Sequence, residues 1–381
     1  MTPGARASAA IAVLDRILGG EPAEKALTNW GRASRFAGSG DRAAVRDLVF
    51  DALRRRSSSA ALGGGLTGRG LILGLARSSG QEALFSGEGH APVPPGPDEA
   101  GREPDAGERL DLPDWLVPHL RDSMGADFAA VADALRSRAP VFLRVNLGKS
   151  DRPAAIAHLA EEGIVARPHP LAASALEVTE NARKIQTSQA YLTGLVELQD
   201  ASSQAVVQAL PLADGMKVLD HCAGGGGKTL AMAARAELQL FAHDAYPRRM
   251  TDLPERARRA GARVTLTDRP ETDAPYDLIL VDAPCSGSGS WRRDPEGKWK
   301  ITPETIAETE KTQISILDRV APLLRTGGVL AYVTCSLLRR ENGAQARAFL
   351  TRHPGWHLDH ELTLTPLQGG DGFYLALFHG N

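Results

Sequence analysis

The sequence predicts an α/β protein whose C-terminal half forms a doubly wound, mostly parallel sheet. From residue 217 onward, short apolar segments alternate with segments of helical periodicity, which is typical of parallel strands covered by helices on both faces. The first such strand leads into KVLDHCAGGGGKT at 217–229, where four glycines precede an Ala-rich helix. Glycines at this position let backbone N–H groups approach a ligand. The turn is therefore predicted to bind a nucleotide-like ligand.

The elements of this half follow from the same alternation. Strands are predicted at 217–221, 238–243, 263–266, 277–281 and 328–333, and helices at 228–236, 248–260, 303–325 and 340–352. The closing segment GFYLALF is predicted to be a last, antiparallel strand.

The spacing of the glycines argues against two common nucleotide sites. Counted back from Gly227-Lys228-Thr229, the first glycine of a phosphate-binding P-loop would fall on Cys222. The dinucleotide pattern Gly-x-Gly-x-x-Gly is also missing from this run. A P-loop nucleotidase remains the weakest alternative, and a tight turn without a ligand remains another.

Composition places further bounds on the function. The chain has 381 residues, of which 44 are Lys or Arg and 46 are Asp or Glu, so its formal net charge is −2. Such a chain has no global basic field, and any nucleic-acid surface must be local. We expect a cytoplasmic protein, because no segment has the length and apolarity of a membrane span and the N-terminal segment does not resemble a signal peptide. The three cysteines are widely spaced, which predicts neither disulfides nor a metal site.

Four segments are predicted along the chain. Residues 1–80 read as a helical domain in which Asp41 is placed to cap a helix, and residues 81–111, rich in Pro, Gly and acid, read as a flexible linker or loop. Residues 112–210 read as a helix pair and a small α+β module, with strands in PVFLRVNLG at 140–148, at 174–178 and at 195–199 and with Asp151 as a helix cap. Residues 211–381 form the sheet domain.

Carboxylates at strand ends suggest which ligand the turn binds. The second predicted strand ends at Asp244, the usual position of a carboxylate that holds a ribose hydroxyl, and Asp268 follows the third strand. No basic partner for a triphosphate accompanies Lys228. These groups suit S-adenosylmethionine better than ATP. The predicted cofactor-binding residues are Cys222, Ala223, Gly224, Gly225, Gly226, Gly227, Lys228, Asp244, Asp268 and Asp282.

The fourth and fifth predicted strands deliver two cysteines to the same edge of the sheet. The fourth ends in DAPCSGSGSW, in which Pro284 stops the strand and leaves Asp282 and Cys285 at its end. The fifth ends in TCS and delivers Cys335. A thiolate is the best soft nucleophile in the chain, and C6 of a pyrimidine is a soft electrophile. Attack at C6 makes C5 nucleophilic, so that C5 can accept a methyl group from a sulfonium donor.

A basic and aromatic segment follows the Pro-Cys pair. Trp291 and Trp299 alternate with basic residues, which is typical of a surface that binds single-stranded nucleic acid, although an ordinary surface loop is the alternative. The basic residues predicted to contact RNA are Arg292, Arg293 and Lys298.

These segments together resemble the Sun/RsmB-type RNA (cytosine-5-)-methyltransferases over nearly the whole chain. The resemblance rests on DHCAGGGGKT at 220, DAPCSGSGSWRRDPEGKW at 282, TCSLLRRENGAQ at 334 and the terminal GGDGFYLALF. It implies a class I (Rossmann-like) methyltransferase sheet, an all-α NusB-like RNA-binding domain at the N-terminus, and a small α+β module between them.

The resemblance also implies roles for individual residues. Cys335 would be the nucleophile at C6 of cytosine, Cys285 would assist breakdown of the covalent adduct, and Asp282 would contact the base around N3. The implied cofactor is S-adenosylmethionine and the implied partner is RNA, most naturally 16S ribosomal RNA, with no DNA and no membrane and with the protein as a monomer. The target base would have to be unstacked into the pocket.

Two departures from the family pattern and three alternatives remain open. The family's Ala-Pro is replaced by Gly224-Gly225, and its Glu-Asn-Glu by Glu341-Asn342-Gly343. The alternatives are a tRNA methyltransferase, a DNA cytosine-5 methyltransferase that would attack with Cys285, and a ribosome-assembly factor that binds RNA without catalysis.

Overall fold

The computed structural model describes residues 1–380, which form two compact units. One unit contains residues 1–138 together with 291–300, and the other contains 139–290 together with 301–380. This division differs from the four predicted segments, because 81–138 belongs to the same unit as the N-terminal helices and a short piece of the predicted sheet domain belongs there too.

In the first unit, residues 1–138 contain seven α-helices and residues 291–300 contain one more, and apolar faces of helices between residues 3 and 78 form a core. One face of the third helix is apolar and buried, since Val45, Val49 and Leu53 are enclosed by the unit. Asp41 lies inside that helix, where its carboxylate accepts the N–H of Gly38 at 3.2 Å. The helices are α1 (Pro3–Leu18), α2 (Ala23–Ala33), α3 (Ser39–Arg54), α4 (Arg56–Gly63), α5 (Gly68–Ser78), α6 (Val117–Met124) and α7 (Phe128–Ala134).

Residues 81–111, predicted to be a linker, pack on these helices without forming an α-helix or strand. Phe85 joins the helical core, and the Arg69 guanidinium forms an ion pair with Glu99. Arg77 donates to the carbonyl oxygens of Leu62 and Glu99 at 2.6 and 2.7 Å. A Pro- and Gly-rich segment can therefore be fixed by side chains from neighbouring helices although few of its own side chains are buried.

The second unit begins with a small four-stranded antiparallel sheet in the order β2-β3-β1-β4. Asp151 caps α8, as predicted, by accepting the N–H of Ala154 at 2.8 Å. The predicted strands are present, and the strand at 165–168 was not predicted. The elements are β1 (Val141–Val145), α8 (Arg152–Glu161), β2 (Val165–Pro168), β3 (Ala175–Glu180), α9 (Gln189–Leu192), β4 (Val196–Leu198) and α10 (Ala201–Gln208).

The larger sheet has seven strands in the order β10-β11-β9-β8-β5-β6-β7. The five strands from β9 to β7 in this order are parallel, whereas β11 runs antiparallel to both β9 and β10. This confirms the predicted doubly wound α/β fold and its antiparallel last strand; only β10 was not predicted. The elements are β5 (Lys217–Asp220), α11 (Gly227–Ala233), β6 (Gln239–Ala242), α12 (Leu253–Ala260), β7 (Thr265–Leu266), β8 (Tyr276–Asp282), α13 (Pro295–Lys300), α14 (Pro303–Val320), β9 (Leu324–Thr334), α15 (Gly343–Arg352), β10 (Trp356–Leu364) and β11 (Phe373–Gly380).

The central strands are buried on both faces. Alternate residues of β8 enter two different apolar clusters: Leu278 and Leu280 pack in the cluster that includes α10, and Ile279 and Val281 pack in the one that includes α14. A strand covered on both faces reads as a continuous apolar run, as DLILVD does. Among the described residues, the helices are all too short or too polar to cross a membrane.

The basic and aromatic segment 291–300 is mostly not a surface patch. It contains α13 and belongs to the helical unit, where the Trp299 indole N–H donates to the carbonyl oxygen of Leu53 at 2.7 Å. Lys298 is completely buried and donates to the carbonyl oxygen of Arg54 at 3.0 Å, and Arg292 is also buried. The structure thus revises the interpretation of Arg292 and Lys298 as RNA contacts, because their side chains are enclosed by protein. Arg293 is exposed.

Candidate active site

The glycine-rich turn after β5 takes a conformation that requires glycine. Gly224 and Gly226 have φ of +52° and +79°, values that residues with a side chain rarely adopt. A Cβ on Gly226 would also lie 2.2 Å from Cδ1 of Leu253. The turn and α12 are therefore packed too closely for a side chain, which keeps the backbone of the turn accessible to a ligand.

Asp220, the last residue of β5, lies buried beside the start of α11. Its Oδ2 accepts the Thr229 hydroxyl at 2.6 Å, whereas its Oδ1 is buried and has no hydrogen-bond partner among the described residues. Burial raises the pKa of Asp220 to about 7. Sequence reasoning assigned no role to Asp220, although its position at the end of the strand before the turn was a signal.

Asp244 lies near the turn, as predicted, but its carboxylate is already engaged. Its Oδ2 accepts the N–H of Gly224 at 3.0 Å, and its Oδ1 accepts the N–H of Tyr246 at 2.8 Å. Arg249 lies 3.3 Å from the same carboxylate. Asp244 thus helps to hold the turn, and its contact with a ribose stays a prediction. Asp268 is exposed beyond the end of β7.

An ion pair joins the glycine-rich turn to the end of β8. Lys228 Nζ lies 2.6 Å from Asp282 Oδ2 and 5.0 Å from the centre of the Phe373 ring. Burial acts to lower the pKa of Lys228, but the nearby Asp282 outweighs it and the pKa is raised. Lys228 is therefore a permanent cation at neutral pH, and it holds Asp282 at the mouth of the crevice. Cys222 in the same turn is an inert thiol, since burial raises its pKa to about 12.

The two cysteines predicted to act together lie side by side. The Sγ atoms of Cys285 and Cys335 are 3.4 Å apart, and both residues are partly buried. The loops that carry them are joined by a hydrogen bond from the N–H of Gly289 to the carbonyl oxygen of Cys335 at 2.9 Å. The hydrogen bond with Cys335, followed by burial, raises the pKa of Cys285 well above its usual value. The raised pKa therefore favours the thiol form of Cys285.

Glu341 ties the two cysteine loops together, a role that sequence reasoning missed. Its Oε1 accepts the backbone N–H of Ser286 at 2.7 Å, and its Oε2 accepts the hydroxyls of Ser286 and Ser336 at 2.5 Å each. Glu341 is completely buried, and burial raises its pKa. Ser286 follows Cys285 and Ser336 follows Cys335, so one carboxylate fixes both loops next to their thiols. The Glu-Asn pair after the Thr-Cys motif was the available signal.

The residues around the turn fit S-adenosylmethionine. The unpaired Oδ1 of Asp220 can accept a hydrogen bond from the ammonium group of a methionine moiety, and the turn has no side chain at Gly224–Gly227 to obstruct it. The crevice lies at the carboxyl ends of β5 and β6, the usual ligand position in open α/β sheets. The thiols end the neighbouring strands β8 and β9, so a nucleophile and a donor can meet on one substrate.

Comparison with known proteins agrees with this geometry. Residues 207–378 match the family described as 16S rRNA methyltransferase RsmB/F, and residues 112–186 match the ferredoxin-like domain of RsmF/B-like methyltransferases. Ribosomal RNA small subunit methyltransferase B of Citrobacter koseri is 35% identical over 282 residues, which cover 69% of this chain and 65% of that protein. This chain thus spans slightly less than two thirds of the length of that relative.

Solved structures share the fold. The crystal structure of PH0851 has a TM-score of 0.75 at 20% identity and covers 100% of this chain and 99% of its own. A methyltransferase homologue from Pyrococcus horikoshii has a TM-score of 0.63 at 24% identity and covers 72% of this chain and 97% of its own. S-adenosylmethionine is the cofactor of the matched family, which confirms the predicted cofactor at the level of the family. The chain belongs to the RsmB/F family of methyltransferases, as the resemblance of its motifs predicted.

Proposed function

We propose that this protein transfers a methyl group from S-adenosylmethionine to C5 of a cytosine in RNA. The observation that carries the proposal is the 3.4 Å separation of the Cys285 and Cys335 thiols at the ends of adjacent parallel strands. Packing does not require two thiols and a charged carboxylate at one strand edge. A reaction that forms and then breaks a covalent bond to a base can use one thiol for each task.

In the proposed reaction, Cys335 is the nucleophile. Its thiolate adds to C6 of the cytosine, and the electron pair of the C5–C6 bond becomes available at C5. The cofactor supplies a methyl group bound to a positively charged sulfur, which C5 can accept. Transfer of the C5 proton to water leaves the electron pair of the C–H bond to re-form the C5–C6 double bond, and Cys335 departs as a thiolate. The high pKa of Cys285 suits it for the second task, because a thiol next to Cys335 can donate a hydrogen bond to the departing sulfur.

Asp282 and Lys228 support this reaction from the other side of the crevice. Asp282 is the titratable group at the end of β8 that is open enough to meet a base, with 32% of its side chain exposed. We propose that its carboxyl contacts the cytosine around N3 and shares a proton with that nitrogen, which helps the ring to accept charge after attack at C6. Lys228 keeps Asp282 oriented and neutralises its charge until the base arrives.

The proposed substrate is 16S ribosomal RNA. The name of the matched family and that of the Citrobacter relative both specify small-subunit rRNA. The near-zero net charge makes strong non-specific binding to RNA unfavourable, which suits a protein that reads a defined site. With this function we expect RNA rather than DNA as the partner, a monomer, and a location in the cytoplasm.

The test is methyl transfer from labelled S-adenosylmethionine to undermethylated small-subunit rRNA, with the products separated on denaturing gels. We expect the wild type to label the RNA, Cys335→Ala to label nothing, and Cys285→Ala to accumulate a covalent protein–RNA band of reduced mobility. The double variant should form no such band, because the trapped bond is made by Cys335.

Three results would contradict the proposal in different ways. Loss of all adduct in Cys285→Ala, with activity kept in Cys335→Ala, would identify the DNA-type use of the Pro-Cys cysteine. Labelling of tRNA but not of rRNA would identify tRNA as the substrate. Binding of the cofactor without transfer to any RNA would favour an assembly factor instead of an enzyme.

A further inference from the structure

Two histidines and one aspartate meet on the last β-hairpin, away from the cysteines. His357 on β10 and His379 on β11 are direct partners in the antiparallel register, and their rings lie nearly parallel at 5.9 Å. Asp359 follows two residues after His357, at a point where the register shifts between Leu358 and His360. The shift leaves Asp359 without a paired residue, as in a β-bulge, and bulges redirect side chains.

The carboxylate of Asp359 stands between the two imidazoles. Its Oδ1 lies 3.1 Å from Nε2 of His357, and its Oδ2 contacts Nδ1 of His379. Nδ1 of His379 is shielded from solvent, so water cannot satisfy it. One ligand atom from each of the three residues lies within 4.8 Å of the other two. The three groups therefore converge on one point instead of pointing apart into solvent.

This spacing is close to that of a zinc coordination shell. Ligand atoms about 2.1 Å from a tetrahedral metal are about 3.4 Å from one another, so small rotations of these side chains are enough to surround an ion. Two imidazoles and one carboxylate suit zinc-class cations and not magnesium or calcium, which prefer shells made of oxygen. Antiparallel partners on neighbouring strands need no backbone movement to act together.

We propose that His357, Asp359 and His379 form a surface site for a zinc-class divalent cation, with the fourth position open to water. The ion would join β10, the edge strand of the larger sheet, to β11. Edge strands are held by a neighbour on one side only, so a link at this point stabilises the least supported strand. The site is independent of methyl transfer and does not rest on the proposed function.

The experiment is equilibrium binding of ZnCl2 to the full chain after removal of metals with a chelator, followed by thermal melting with and without zinc. The cysteine thiols can also bind zinc, so the comparison is between variants that keep all three cysteines. His379→Ala and His357→Ala should each lose one bound equivalent of zinc per chain. His360→Ala, on the same strand but outside the cluster, should keep it.

The melting temperature should rise on addition of zinc in the wild type and in His360→Ala, and the part of that rise due to the cluster should disappear in His357→Ala and His379→Ala. Asp359→Asn retains the imidazoles and should weaken binding at least tenfold. Equal zinc stoichiometry and equal affinity in the wild type and all four variants would overturn the proposal. It would show that the cluster is an ion pair in which the imidazoles alone hold the carboxylate.

Discussion

Lys228 and Asp282 form an ion pair in which one partner is far more buried than the other. Their side chains are 9% and 32% exposed, and Nζ and Oδ2 are 2.6 Å apart. Asp282→Asn leaves a buried ammonium group without its counter-charge, whereas Lys228→Met leaves a carboxylate that water can reach. We therefore expect Asp282→Asn to lower the free energy of unfolding by about 1–3 kcal/mol and Lys228→Met to lower it by less. Urea unfolding of both variants measures the difference.

The control for this prediction is Glu255→Gln, which removes an ion pair with Arg258 in which both side chains are more than 60% exposed. Exposed pairs contribute about 0–1 kcal/mol, so this variant should resemble the wild type. A larger loss of unfolding free energy in Lys228→Met than in Asp282→Asn would contradict the prediction. It would show that the carboxylate, and not the ammonium group, is the partner that is costly to leave unpaired.

Glu341→Gln should damage catalysis more than stability. The amide still offers one carbonyl oxygen to the N–H of Ser286, but its NH2 group cannot accept the hydroxyls of Ser286 and Ser336. The variant also removes a buried carboxylate that burial destabilises, so the free energy of unfolding should change little. We expect kcat to fall about tenfold or more, with little change in KM for S-adenosylmethionine, because the thiols lose their alignment.

Glu310→Gln is the matched control, since Glu310 forms an ion pair with Arg340 and contacts neither serine. It should keep the kcat of the wild type. The rate at which an added oxidant links Cys285 to Cys335 gives a second measurement that needs no RNA, and it should slow in Glu341→Gln only. An unchanged rate together with an unchanged kcat would show that the carboxylate does not position the thiols.

The predictable part of this site is the part that follows from strand order. Asp282, Cys285 and Cys335 lie together because parallel strands β8 and β9 end at one edge of the sheet, and each strand is visible as an apolar run. The position of Glu341 could not be predicted in the same way. Its partners depend on how two loops turn after their strands, and loop conformation is not encoded in a periodic pattern.

Two further differences between the predictions and the structure also arise from local features that a periodic pattern does not encode. Strand β10 was missed because WHLDHELTL is interrupted by the bulge near Asp359, which breaks the alternation of apolar and polar residues. Lys298 was misread because a lysine between tryptophans normally lies at the surface, whereas here its side chain is buried in the helical unit and donates a hydrogen bond to the carbonyl oxygen of Arg54.

Asp220 should make the stability of the protein depend on pH. Burial raises its pKa from 3.8 to about 7, so the folded state binds this proton more tightly than the unfolded state does. The resulting stabilisation is complete below pH 4 and is lost as the pH rises to about 7, with a slope of up to about 1.4 kcal/mol per pH unit.

Asp220→Asn cannot titrate, so its stability relative to the wild type should increase between pH 4 and 7. Urea unfolding at several pH values measures this difference. A pH profile of Asp220→Asn that runs parallel to that of the wild type would contradict the prediction.

Removal of the charge of Lys298 should leave RNA affinity unchanged. The side chain is fully enclosed, and burial lowers its pKa to about 7, so it offers little charge to a phosphate. Filter binding of small-subunit rRNA at several salt concentrations should give the same salt dependence for Lys298→Met as for the wild type.

Arg293→Ala changes an exposed charge in the same segment and is the comparison. If Arg293 contacts a phosphate, the slope of log affinity against log salt should be shallower by about 0.7–0.9 in Arg293→Ala than in the wild type. A reduced slope in Lys298→Met would show that the segment opens when it binds RNA.

Gly226→Ala should lower both stability and affinity for S-adenosylmethionine. Its φ of +79° costs a residue with a side chain about 1–2 kcal/mol, and the added Cβ would also overlap Leu253 at 2.2 Å. Gly215→Ala separates these two effects, because Gly215 has φ of +83° but nothing within 4 Å of the added atom. We expect both variants to lose stability in urea unfolding, Gly226→Ala by the larger amount, and only Gly226→Ala to bind the cofactor more weakly in calorimetry. Equal stability losses with unchanged cofactor affinity would mean that α12 moves away from the turn, and that close packing against Leu253 is not what shapes the binding crevice.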